Sequence, residues 1–255
     1  MTPDRPSERA GLQIDQAAPN LWRPASAVVM IPMLLFVAVY AFLAFLPEAV
    51  SVSILDRFAL SPLKVTGVQA VQLSSEEILL TFLTHVFLHA DVVHLLVNCF
   101  WFYIFAQPLA VRFRAARHFS LSERITGSFV FMALFLSASV FSGLCYILMN
   151  TQEAVILIGA SGAISAVMGA SIRLGLRRYQ PGGISRGRPL SIIDPKVLLA
   201  SSLYIGSNLL LLTPYGDYLL FGAPAGQVAW EAHISGFLFG LVMLSYFDRL
   251  TLPRR

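Results

Sequence analysis

The chain has 255 residues, of which 56% are hydrophobic and only 13% charged, and its mean hydropathy is +0.71. Globular proteins average about 45–50% apolar and about 25% charged residues, so this composition excludes an ordinary soluble domain. A sequence pI of about 9.3 is shared with nucleic-acid binders, but the basic residues cluster beside apolar runs, which indicates a membrane surface and no nucleic-acid partner.

Residues 1–26 are polar and punctuated by proline, without the apolar stretch of a signal peptide, and read as a disordered cytosolic tail. A helix needs roughly 20 apolar residues to cross the hydrocarbon core, and six stretches meet that need. They run from about Ala27 to Leu46, Val92 to Val111, Gly127 to Met149, Val155 to Leu176, Val197 to Leu212 and Val228 to Phe247. The expected fold class is therefore an all-α membrane protein, a six-helix transmembrane bundle over residues 27–247, with a short cytosolic tail at 248–255.

The long first connection, about 47–91, has apolar content of its own. In EEILLTFLTHVFLH, Ile78, Leu79, Phe82, Val86 and Phe87 fall near helical spacing, as in a structured element lying in the outer interface. No internal repeat is visible, so the inverted-repeat architecture of many transporters gains no support.

Orientation follows from Lys and Arg. The N-terminal tail holds Arg5, Arg9 and Arg23, and the second-to-third connection holds Arg112, Arg114, Arg117 and Arg124. The fourth-to-fifth connection, helix ends included, holds Arg173, Arg177, Arg178, Arg186, Arg188 and Lys196, and the C-terminus holds Arg249, Arg254 and Arg255. Of the 18 basic residues only Arg57 and Lys64 fall on the other side. The positive-inside rule then places both termini in the cytoplasm. Cys99 and Cys145 both lie in apolar runs and read as free buried thiols.

Polar side chains inside membrane spans are costly and mark function. Three places carry them: His85, His89, His94 and Asn98 in HVFLHADVVHLLVN; Ser161 in GASGAISAVMGA; and His233 in EAHISGFLFG. With cytoplasmic termini, His94 with Asn98, Ser161 and His233 all lie a few residues past the outer ends of their helices. At about 1.5 Å per residue, each sits within roughly 10 Å of the outer boundary.

His94 and Asn98 share a helical face, as do Ser161, Ser165 and Gly169. Gly236 and Gly240 leave the His233 face without bulk, and Gly162 does the same beside Ser161, so the two helices can pack closely. A serine hydroxyl needs a neighbouring base to become a nucleophile, and His233 is the expected base. Glu231 points to another helical face, and Asp91 and Asp217 belong to connections, so a Ser–His dyad is expected rather than a triad. His94, Asn98 and the Ser161 backbone N–H are expected to stabilise the oxyanion. His85, His89 and His94 make no metal site, because no HExxH and no third ligand at suitable spacing accompany them.

These motifs resemble the rhomboid family in order and spacing from about Ala27 to Phe247: HxxxN at His94–Asn98, GxSG at Gly159–Gly162, and AHxxG at Ala232–Gly236. The resemblance implies a six-helix intramembrane serine protease with no cofactor, acting on transmembrane protein substrates in the lipid bilayer, in a bacterial inner membrane. It implies Ser161 as nucleophile, His233 as general base, His94, Asn98 and Gly159 on the oxyanion side, and His85 and His89 as braces of the first loop.

Two departures stand out. Many relatives carry an aromatic residue four positions after the serine, where this chain has Ser165, and many carry Trp-Arg before the histidine run, where Leu79-Leu80-Thr81-Phe82 stands. The competing functions are a catalytically silent rhomboid-like factor for binding or quality control of membrane proteins, and a transporter. Silent relatives typically lack the serine or the histidine, and both are present. A transporter would carry charged groups along a midplane path, and these spans are almost without charge.

Overall fold

The structure is a computed structural model, and it describes residues 26–66, 74–175, 188–210, 213 and 228–251. Both expected terminal tails, except for Ser26 and 248–251, and much of the fourth-to-fifth and fifth-to-sixth connections lie outside the described residues. Nine α-helices are described: α1 Ala27–Ala44, α2 Glu48–Phe58, α3 Pro62–Thr66, α4 Ser75–Thr84, α5 Val92–Arg112, α6 Leu121–Met149, α7 Ser161–Arg173, α8 Pro195–Leu210 and α9 Trp230–Thr251. A single 3-10 turn, His85–Phe87, joins α4 to the approach of α5. Among the described residues there is no β-strand, only an isolated antiparallel bridge between Leu60 and Leu157.

Among the described residues, four helices are long and apolar enough to cross a membrane: α1, α5, α6 and α9. Their outward side chains, such as Leu34, Phe42, Leu96, Phe129 and Val242, are exposed in the isolated chain, as lipid-facing residues are. The inward faces meet in a core whose largest side chains, Phe36, Phe102, Phe131 and Phe135, are fully buried. The chain is thus an all-helical membrane bundle.

Of the remaining two expected spans, the fourth is shorter than the sequence pattern suggests and the fifth is not. A continuous helix was expected from about Val155, yet helix α7 begins only at Ser161 and has 13 residues. At 1.5 Å per residue it is about 20 Å long, well below the roughly 30 Å hydrocarbon core. The reason is local. Leu157 bridges Leu60 in extended conformation, and Gly159 takes φ +102°, which a right-handed helix forbids. Helix α8 has 16 residues, and 211–212 of its expected span lie outside the described residues.

Helix α6 starts six residues earlier than expected, at Leu121, because Ser120 and Glu123 form a reciprocal capping box. A second capping box, Ser74 with Glu77, starts α4. The described part of the first connection holds α2, α3, α4 and the 3-10 turn, and 67–73 lie outside the described residues.

Two packing features set the site. The first is the α7–α9 seam, where backbones touch: a Cβ at Gly236 would fall 2.1 Å from the Gly162 carbonyl oxygen, one at Gly240 1.8 Å from that of Ala166, and one at Gly169 2.3 Å from that of Phe237. The second lies at the opposite end. There Arg112 of α5 donates two hydrogen bonds to the buried Asp248 of α9, each 2.6 Å. Beside it Arg173 of α7 donates to the Leu241 carbonyl and to Ser245 Oγ.

Candidate active site

The serine is delivered by a turn that three backbone hydrogen bonds hold in place. Gly159 N–H donates to the His85 carbonyl at 2.9 Å, and Leu157 exchanges two backbone hydrogen bonds with Leu60. His85 is itself fixed, since its Nδ1 donates to the Thr81 carbonyl at 2.8 Å and its side chain is buried. Beneath it, Ser139 Oγ on α6 donates to the Phe82 carbonyl at 2.9 Å, which ties α4 to the bundle.

Ser161 is the first residue of α7 and follows Ala160, which supplies no side-chain cap. The first N–H groups of a helix have no intrahelical acceptor and carry the positive end of the helix dipole. The Ser161 N–H therefore points out of the helix beside its own hydroxyl. Residues 162–167 behind it are buried, whereas Ser161 itself is half-buried.

Across the glycine seam lies His233, on the first turns of α9. Ser161 Oγ and His233 Nε2 are 2.8 Å apart. On the far side of the ring, Nδ1 lies 2.9 Å from Asn208 Oδ1 on α8. Asn208 Nδ2 donates to the Tyr204 carbonyl at 2.9 Å, which leaves Oδ1 as the atom that faces the imidazole. An Oδ1 acceptor requires a proton on Nδ1, so Nε2 presents its lone pair to the Ser161 hydroxyl. That is the tautomer a general base needs.

His94 approaches from α5. Its Nε2 lies where a Cβ of Gly159 would be, 2.6 Å from that position, so both the positive φ and this contact demand glycine. Asp91, left by the sequence in a connection, caps α5 by accepting the His94 backbone N–H at 2.8 Å. Asn98 is buried one turn further on and donates from Nδ2 to the His94 carbonyl at 2.8 Å. His89 packs its ring against His94 and Phe36, with centroids 5.1 and 5.4 Å apart.

Residues 76–249 match the Rhomboid domain, more than half of the chain. The chain belongs to the rhomboid family. No curated protein matches it. Rhomboids are usually intramembrane serine proteases, and inactive members exist. Family and apolar helices together make this an integral, multi-pass membrane protein.

Of the residues singled out in the sequence, Ser161 and His233 meet in a hydrogen bond. His94 and Gly159 lie against each other next to them, with Asn98 behind His94. Gly162, Gly236 and Gly240 form the seam. Glu231 accepts a hydrogen bond from Asn150 Nδ2 at the end of α6 rather than one from His233.

Sequence reasoning missed Asn208 and Tyr204. An amide in an otherwise apolar span was the available signal. It was overlooked because nothing in the sequence says which face of α8 meets α9. Ser165, where many rhomboids have an aromatic ring, donates to the Ser161 carbonyl and lies 2.6 Å from Tyr204 Oη.

Proposed function

We propose that this rhomboid is an active intramembrane serine endopeptidase. The observation that carries the reading is the 2.8 Å contact between Ser161 Oγ and His233 Nε2, with the imidazole in the tautomer that can accept a proton. In the proposed reaction the Ser161 oxygen attacks the scissile carbonyl carbon while its proton passes to His233 Nε2. The oxyanion is received by the Ser161 N–H, with His94 and Asn98 on the same side and Gly159 leaving room for the His94 ring. His233 then returns the proton to the leaving amine. Water, activated by the same nitrogen, hydrolyses the acyl-enzyme.

Substrates in this proposal are transmembrane segments of other membrane proteins. The asymmetry of Lys and Arg supports cytoplasmic termini and a serine near the outer face of a bacterial inner membrane, with the transmembrane domain spanning 27–247. A helical peptide bond is shielded from attack, because its carbonyl is already hydrogen-bonded and the nucleophile has no approach. Cleavage therefore falls near the outer end of the substrate span, where Gly, Pro or small polar residues let it unwind.

The test is purified protein in liposomes with a single-span substrate and a Ser161→Ala control, with products located by mass spectrometry. A Ser161-dependent cut near the outer end is expected, together with labelling of Ser161 by a fluorophosphonate. No cleavage across a varied substrate panel and no labelling would establish a silent binding protein instead.

A further inference from the structure

The hydrogen bonds around the dyad form a closed circuit that passes through α8. Ser161 Oγ–H points to His233 Nε2, His233 Nδ1–H to Asn208 Oδ1, and Asn208 Nδ2–H to the Tyr204 carbonyl. Tyr204 Oη meets Ser165 Oγ at 2.6 Å, and Ser165 Oγ–H returns to the Ser161 carbonyl at 2.6 Å. Since the Ser165 proton is used on that carbonyl, Tyr204 is the donor in their contact. The Tyr204 ring also stacks on Phe237, four residues after His233, with centroids 4.3 Å apart and planes 15° apart. Helix α8 is therefore fastened to the serine helix through Ser165 and to the histidine helix through Asn208 and Phe237.

We propose that Asn208 is a positioning residue for His233, so that α8 carries a third member of the catalytic apparatus and its seating decides whether the base is competent. The proposal rests on the dyad reading above. Asn208 is buried, and an amide in an apolar span is costly unless its hydrogen bonds are satisfied. Both of its polar atoms are used, one of them on the histidine. Where many rhomboids hold the histidine with an aromatic ring on the serine helix, this chain has Ser165, and the orienting contact comes from α8. The amide stays neutral and takes no proton. It holds Nδ1–H through proton transfer at Nε2 and strengthens its bond when the imidazole becomes charged.

The experiment compares Asn208→Ala, Asn208→Asp and Tyr204→Phe in liposomes, reading kcat and KM on a single-span substrate and the rate of fluorophosphonate labelling of Ser161. Asn208→Ala is expected to lower kcat and labelling by about 10- to 1000-fold with little change in KM, as expected for loss of an orienting partner. Asn208→Asp restores an acceptor for Nδ1–H and should recover most of that loss. Tyr204→Phe keeps the ring stack and the Asn208 acceptor for Nδ1–H and removes a hydroxyl that meets Ser165 and also the Asn208 side chain, so its loss should be several-fold smaller. The ring 15N shifts of His233 should show the Nδ1–H tautomer in the unsubstituted protein and a mixture in Asn208→Ala. Unchanged labelling in Asn208→Ala would overturn the proposal while leaving the dyad standing. Equal losses in Asn208→Ala and Tyr204→Phe would also overturn it, reducing Asn208 to helix docking. No Ser161 labelling in the unsubstituted protein would remove the dyad reading and this proposal together.

Discussion

Gly240 of α9 lies so close to Ala166 of α7 that a Cβ added to it would sit 1.8 Å from the Ala166 carbonyl oxygen. The neighbour here is backbone, which cannot rotate out of the way. Gly240→Val should therefore force the helices apart, lengthen the contact between Ser161 and His233, and destabilise the protein by roughly 1–3 kcal/mol or more. Thermal unfolding in detergent and the labelling rate of Ser161 should fall together. At Gly206, where nothing lies within 4 Å, the same substitution should be tolerated. Intact stability and activity in Gly240→Val would contradict the seam geometry.

Ser161→Ala and His233→Ala should each abolish cleavage while leaving insertion and folding nearly intact. Because the two groups act on one proton, the double variant should be little worse than either single one. Single-turnover assays on the three variants check this. Additive losses would mean that the residues act independently.

Gly159→Ala should be more damaging than its size suggests. Alanine is strained at φ +102°, and its Cβ would meet the His94 ring at 2.6 Å. Asn98→Ala, which removes the donor to the His94 carbonyl, should lower turnover by about 10- to 1000-fold with a smaller effect on substrate binding. Steady-state kcat and KM for both variants decide the matter. An unchanged kcat in Asn98→Ala would demote Asn98 to packing.

The first connection should make the fold sensitive to acid. Burial pushes His85 down to about 4, and burial with the nearby charge of His94 does the same to His89. Both values lie below the roughly 6.5 of an unfolded histidine. Between about 4 and 6.5 the unfolded chain thus binds more protons than the folded one, and stability falls as pH drops through that window. Tm measured from pH 7.5 to 4.5 should decrease, and His89→Phe should flatten the decrease. A Tm independent of pH across this range would rule out neutral buried histidines as the cause.

The asymmetry of charge and the apolar runs made a helical membrane bundle legible, because the cost of polar groups in lipid acts on each segment separately. Ser161 and His233 were legible for a related reason. Few polar groups survive in such spans, and the glycines around them mark where helices must touch.

What only the tertiary structure decided depends on contacts between distant segments. The late start of α7 at Ser161 comes from the bridge between Leu157 and Leu60 and the bond from Gly159 to His85, and so from residues 97 and 74 positions away, which no local periodicity reports. The third contact of His233 was invisible for the same reason. Asn208 reaches the imidazole only because α8 turns one face toward both α7 and α9, and that rotation is set by packing.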